Sequence, residues 1–114
     1  MKITRRWAIL PALCCAFTTL GQQNSRTSPA WPELNSSMDK MHMAMMSIKP
    51  SGASDVDFVR LMLPHHQAAI DMAKTQLLFG KDAQMLRLAQ EIITDQQSEI
   101  DLMQLWLKQQ EPRK

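Results

Sequence analysis

The sequence has no tyrosine and little glycine, and its few aromatic residues do not alternate with polar ones. Because alternation is not sustained, no strand pattern is visible, and three glycines in 114 residues provide no glycine-rich loop for phosphate. Hydrophobic residues recur instead at three- and four-residue steps, which is the period of an amphipathic helix. The sequence therefore predicts an all-α protein with one domain.

The N-terminus has the features of an export signal. Lys2, Arg5 and Arg6 precede an apolar run at 7–20, which is shorter than the roughly 20 residues of a membrane span. We expect residues 1–21 to be a signal peptide that uses a twin-arginine-like or a general secretory route, with an uncleaved anchor as the alternative. After cleavage no stable membrane span would remain, and the protein would be periplasmic or secreted.

Cysteine is absent from the predicted mature chain, because Cys14 and Cys15 both lie in the signal peptide. A disulfide is then excluded, and a soft-metal site would have to use methionine and histidine. Removing residues 1–21 takes away three of the 13 basic residues and none of the 11 acidic ones, so the formal net charge changes from +2 to −1. This balance gives no electrostatic basis for binding nucleic acid.

Three helices are predicted to follow a flexible polar linker at 22–33. Their expected spans are 34–48, 54–79 and 82–109, within a helical metal-binding bundle at 34–110. The connections are short, so consecutive helices should pack antiparallel.

Cap and turn residues define these bounds. Ser54 is the expected cap of the second helix and Gly80 its stop. Candidate caps of the first helix are Asn35, Ser36 and Ser37. Pro64 leaves two interpretations open: either it kinks a continuous second helix, or the helix begins at Pro64 and the residues before it form a separate turn.

Each of the two long helices carries an apolar stripe that should face a neighbour. The stripe of the second helix is Phe58, Leu61, Met62, His65, Ala69, Met72 and Ala73. The stripe of the third helix is Leu88, Ile92, Gln96, Glu99, Met103 and Trp106. An antiparallel hairpin about Gly80 would bring Met62 near Glu99 and Met103, and His65 near Gln96 and Glu99.

Soft ligands are concentrated in two places. Met62, His65 and Met72 share one helical face, and His66 is rotated from His65 by about 100°, so the two histidines can face different surroundings. Glu99 or Gln96 could orient the ring of His65. The alternative is a structural histidine paired with Glu99 without a metal.

The second cluster holds five methionines between Met38 and Met46. Its candidate ligands are Met38, Met41, His42 and Met45. Leucine would pack equally well, so this density favours metal binding as much as plastic core packing.

Thioether and imidazole together are the ligands of copper(I), with silver(I) as a second candidate and copper(II) a candidate for the histidines and carboxylates. Zinc is less suited, because cysteine is missing and no His-x-x-x-His pair occurs. A di-iron centre would need Glu-x-x-His pairs, which are absent too. With three histidines and no nucleophile pattern, we expect no enzymatic activity.

Two motifs resemble a bacterial family catalogued as domain of unknown function 305. The first reads Asp-Phe, Met-x-Pro-His-His and Ala-Ile-x-Met-Ala, and here it comprises Asp57, Phe58, Met62, Pro64, His65, His66, Ala69, Ile70, Met72 and Ala73. The second comprises Ile92, Gln96, Glu99, Ile100, Met103, Trp106 and Leu107. The resemblance covers about residues 38–107.

This resemblance implies a ferritin-like antiparallel helical bundle, usually exported, and copper binding in members of the CopM type. It carries over Met62, His65, His66 and Met72 as candidate ligands, with Glu99 and Met103 as neighbours. Because the chain holds one short copy, a homodimer could complete the bundle.

We therefore expect copper sequestration, resistance or trafficking, with a copper-delivery protein as a further partner. The alternative is a helical interaction or homodimerisation module that uses a methionine-rich surface.

Overall fold

A computed structural model describes residues 27–110, which form three α-helices. They are α1 (Trp31–Met46), α2 (Ser54–Phe79) and α3 (Ala83–Gln110). No strand occurs in this part of the chain, so the predicted all-α class is confirmed. The predicted signal peptide and the first part of the predicted linker lie outside the described residues.

Helix α1 begins three residues earlier than predicted. Pro32 lies in its first turn, where the fixed φ of proline suits a helix and its missing N–H costs nothing. The predicted caps Asn35, Ser36 and Ser37 are wrong, because all three lie inside the helix. The Ser37 hydroxyl is buried and donates a hydrogen bond to the carbonyl oxygen of Glu33 at 3.1 Å.

The loop before α2 is closed by Ser51 and Asp57. The backbone N–H of Ser51 donates to Oδ1 of Asp57 at 2.7 Å, and Gly52 takes a φ of 84° that favours glycine. The predicted cap Ser54 is wrong, since Ala53 holds the cap position and no side chain caps the helix.

Helix α2 runs unbroken through Pro64 to Phe79 and ends at Gly80, as predicted. The interpretation in which a helix starts at Pro64 is therefore wrong. Oδ1 of Asp82 accepts hydrogen bonds from the backbone N–H groups of Gln84 and Met85, both at 3.0 Å, and so caps α3.

Helix α2 lies between α1 and α3, and no Cα atom of α1 lies within 8 Å of one in α3. The buried residues of α2 accordingly form two groups. Val59, Ile70 and Ala73 face α3, and Ala68 and Thr75, which lie elsewhere on the helical wheel, face α1. The three helices therefore form a single layer.

Most residues of the two predicted stripes lie between these contacts, not in a closed core. Phe58 is 61 % exposed, and Leu61, His65, Leu88 and Glu99 are exposed too. The expectation that each stripe faces a neighbouring helix is met only at the edge of the α2 stripe, at the buried Ala73. The helices α1 and α3 contact α2 on two sides and leave the residues between these contacts uncovered. We call this side of the layer the open face, defined on α2 by Phe58, Met62, His65, Ala69, Met72 and Gln76.

Candidate functional site

Two apolar grooves lie at opposite ends of the open face. The turn-side groove, near Gly80, has a volume of about 400 Å³. Its lining is Leu34 of α1, Ala69, Met72, Ala73 and Gln76 of α2, and Met85, Leu88, Ala89 and Ile92 of α3. The Phe58 groove, at the other end, has a volume of about 360 Å³ and is lined by Asp55, Phe58, Val59, Leu102, Met103 and Trp106. The stretch of α2 between the two grooves carries Met62 and His65.

A histidine–glutamate pair joins α2 to α3, but the histidine is His66. Its Nε2 lies 2.5 Å from Oε2 of Glu99. The alternative in which His65 pairs with Glu99 is wrong for a geometric reason. His66 precedes Ile70 by four residues and so shares the side of α2 that faces α3, whereas His65 is turned away by about 100°.

Both nitrogens of His66 are engaged. Nδ1 lies 2.9 Å from the carbonyl oxygen of Met62, and because a carbonyl only accepts, Nδ1 carries a proton and donates. The ring of His66 therefore links the side chain of Glu99 on α3 to the backbone of α2.

His65 is exposed on the open face, and its ring makes no hydrogen bond to any of residues 27–110. Met62 lies three residues before it and Met72 seven after it, both half-buried. The sequence predicted that these three residues share one helical face, and they do share one in α2.

The antiparallel register brings Met103 to the same level as Met62. Met62 lies four residues before His66, and Met103 lies four residues after Glu99. Met103 is half-buried and lines the Phe58 groove. The predicted proximity of Met62 to this part of α3 thus follows from the observed pairing.

The methionines of α1 lie along the other edge of the open face. Leu34 lines the turn-side groove, and Met38, Met41 and Met45 follow it at steps of four, three and four residues, which keeps them on the same side. Met41 and Met45 are half-buried, and Met38 and His42 are exposed. Both predicted clusters therefore border one surface.

The antiparallel packing of α1 against α2 shows which residues of the two clusters lie at similar levels. Leu34 lies with Met72 and Gln76 in one groove, while Ile48 lines a small hollow with Asp57 and Leu61. Antiparallel packing between these points brings Met38 to within a turn of the level of Met72. It brings Met45 to within a turn of the level of His65.

Residues 27–110 contain no group of three or more His, Cys, Asp or Glu side chains that could hold a metal ion. The metal-binding groups on the open face are methionine thioethers and the imidazole of His65. His65 is accessible to a metal, whereas His66 would have to give up Glu99 first. These donors suit a soft, low-coordinate ion better than a hard one.

The two grooves were not predicted from the sequence. About half of their lining residues, such as Ala69, Leu88 and Phe58, belong to the predicted stripes, but those stripes were expected to face a neighbouring helix. Among the described residues, no helix is both long and apolar enough to cross a membrane.

The fold is an all-α layer with a methionine- and histidine-bearing face. The chain belongs to the family described as domain of unknown function DUF305, whose sequence model matches residues 12–107. A comparison with curated proteins gives no match.

Proposed function

We propose that this protein is exported and binds copper(I) through methionine and histidine side chains on the open face. The observation that carries the proposal is the accessible ring of His65 on the same helical face as Met62 and Met72. Resemblance of the Met62–Met72 motif to copper-binding members of the family supports it. Sequestration, resistance and trafficking are the roles that such binding would serve.

The residues present fit a soft ion in two places. Met62 and His65 are one helical turn apart, and Met45 of α1 lies near the same level, so these three form the first candidate set. Met38 and Met72 form the second set, at the next level along the face. Copper(I) accepts thioethers and imidazole at low coordination number, and silver(I) shares this preference.

His66 and Glu99 take a structural role in this proposal, because both ring nitrogens of His66 are engaged. They fix the register of α2 and α3 and thereby place Met103 at the level of Met62. Copper(II) would instead compete for His66 and Glu99 and disturb this pairing.

The test is an anaerobic titration of the protein with copper(I) against a chromophoric competitor. We expect saturable binding that weakens about tenfold or more in the Met62→Leu, His65→Ala double variant, since second-sphere and ligand losses at metal sites are of this order. Met43→Leu is the matched control, because Met43 is nine residues from Leu34 and points about 180° away from the open face.

Parental affinity in the double variant would contradict the assignment of these ligands. Weak, non-saturating binding by the parent would contradict the function itself. The exposed apolar residues of the same face would then favour an interaction module.

A further inference from the structure

The open face is an apolar surface without a second layer among residues 27–110. Phe58 is 61 % exposed and Leu88 45 % exposed, and both border a groove. Helical domains bury such stripes between two packed layers. Large exposed apolar patches on soluble proteins mark interaction sites.

Its dimensions match those of a protein interface. Helix α2 has 26 residues, which is about 39 Å at ~1.5 Å per residue. Three adjacent helices with axes about 8–10 Å apart give a width of about 20 Å. Because α1 has only 16 residues, the resulting area is about 600–800 Å², close to the roughly 800 Å² that one partner contributes to a standard specific interface.

The two ends of the face complement each other. The turn-side groove is a hollow floored by Ala69 and Ala73, whereas at the other end the large side chains of Phe58 and Trp106 border the Phe58 groove. A two-fold axis that lies in the interface and crosses the helices would lay each end over the other end of a second copy. Phe58 would then meet the region of Ala73.

The same axis is self-consistent on all three helices. Exchange of Phe58 with Ala73 puts the axis between His65 and His66 on α2. Through the observed pairing of His66 with Glu99, the axis crosses α3 beside Glu99, and Trp106 of one copy then meets the region of Ile92 in the other. On α1 it crosses near His42, about one turn from Met45.

We propose that a second copy of this chain covers the open face in antiparallel orientation. Phe58 and Trp106 of each copy occupy the turn-side groove of the other, and the two His65 side chains lie beside the axis. Burial of apolar surface from both copies stabilises the pair by the hydrophobic effect.

The dimer would also provide a copper site that two copies share, and this part of the inference rests on the proposed function. One described chain offers no cluster of three His, Cys, Asp or Glu side chains. The His65 side chains of two copies come together beside the axis, with Met45 of each copy about one turn away, so the pair supplies twice the donors of one chain. A copper site shared by two copies predicts one equivalent per dimer at that position.

The first test measures the mass of the full-length protein by size-exclusion chromatography with light scattering over a range of concentrations. We expect twice the chain mass for the parent and the chain mass for Phe58→Glu. Leu78→Glu is the matched control: Leu78 is 80 % exposed and, 20 residues from Phe58, lies about 200° away on the helix. It should remain dimeric.

Circular dichroism of each variant separates loss of pairing from loss of folding, since both positions are exposed and helicity should not change. A monomeric parent overturns the proposal, including the case in which residues 1–26 or another protein cover the face. A dimeric Phe58→Glu variant with parental helicity overturns it too.

The second test locates the axis. In a chain in which Cys14 and Cys15 are replaced by serine, His65→Cys should give a cross-linked dimer with a short bismaleimide. Lys74→Cys, nine residues away and about 180° around the helix, should not. Equal cross-linking of both variants overturns the register. Efficient cross-linking without copper binding would leave the dimer standing while the proposed function fails, so the two failures are distinguishable.

Discussion

The side chain of His66 on α2 pairs with the side chain of Glu99 on α3. Nε2 of His66 lies 2.5 Å from Oε2 of Glu99, and Nδ1 donates to the carbonyl oxygen of Met62 at 2.9 Å. The side chain of His66 is 12 % exposed and that of Glu99 60 % exposed. The pair therefore fixes the register of α2 against α3 at one point, at an edge of the hairpin that is partly exposed to solvent.

Removing the ring of His66 should destabilise the helical layer. His66→Ala deletes two hydrogen bonds, each contributing roughly 0.5–1.5 kcal/mol. Because Glu99 is largely exposed, water weakens the contribution of its contact with His66. We expect a loss of about 1–2 kcal/mol in the free energy of unfolding, measured by urea denaturation. His65→Ala is the control, and a change of about 0.5 kcal/mol or less is expected there. Equal losses in both variants would contradict the structural role of His66.

Gly80 should not tolerate a side chain, although its φ of −70° is ordinary. A Cβ atom there would lie 2.5 Å from the carbonyl oxygen of Gln76, which already accepts the Gly80 N–H at 2.7 Å. Gly80→Ala should cost about 1–3 kcal/mol, the usual range for overpacking, by the same denaturation assay.

The side chain of Gln76 gives this experiment an internal check. It also crowds the Cβ position, but it can rotate away, whereas the carbonyl oxygen cannot. Gln76→Ala should therefore rescue Gly80→Ala only in part. Complete rescue would show that the backbone contact is not the cause.

How far the sequence predicts this fold can be judged from particular residues. Gly80 marks the end of α2 with local chemistry, so the α2–α3 turn was predicted correctly. The choice between His65 and His66 was not, because adjacent residues differ by about 100° and only the position of α3 decides between them. Ser36 and Ser37 looked like caps, but Pro32 had already started α1.

For the candidate site too, features set by local spacing were predicted and features set by packing between helices were not. Periodicity correctly placed Met62, His65 and Met72 on one face, because spacing along a helix is a local property. Whether that face is covered depends on packing between helices, and the apolar stripe gave no sign that α1 and α3 would leave it open. Exposure of Phe58 and His65 could not be derived from composition.

The Ser51–Asp57 contact should make the loop before α2 sensitive to acid. The Ser51 side chain, its backbone N–H and the charge of Arg60 lower the pKa of Asp57. The folded state thus binds this proton less readily than the unfolded state. Its stabilising contribution is complete above the unfolded pKa and is lost as the pH falls through the lowered folded value.

Carboxyl chemical shifts measured by NMR during an acid titration would check this. The midpoint for Asp57 should lie below the usual range of aspartate, and Ser51→Ala should raise it. Asp57→Asn should remove this part of the acid dependence of unfolding. If Ser51→Ala left the midpoint unchanged, the Ser51 hydroxyl would not be the cause of the lowered pKa.

Copper(I) binding should distinguish the two adjacent histidines. His65→Ala removes an accessible donor and should weaken binding about tenfold or more, with little change in stability. His66→Ala should lower stability and leave copper(I) affinity within a few-fold of the parent, because its nitrogens are already engaged. Both variants should be compared by competitor titration at a temperature at which each is fully folded by circular dichroism. The reverse order of affinities would identify His66 as the ligand and would require its contact with Glu99 to open when the metal binds.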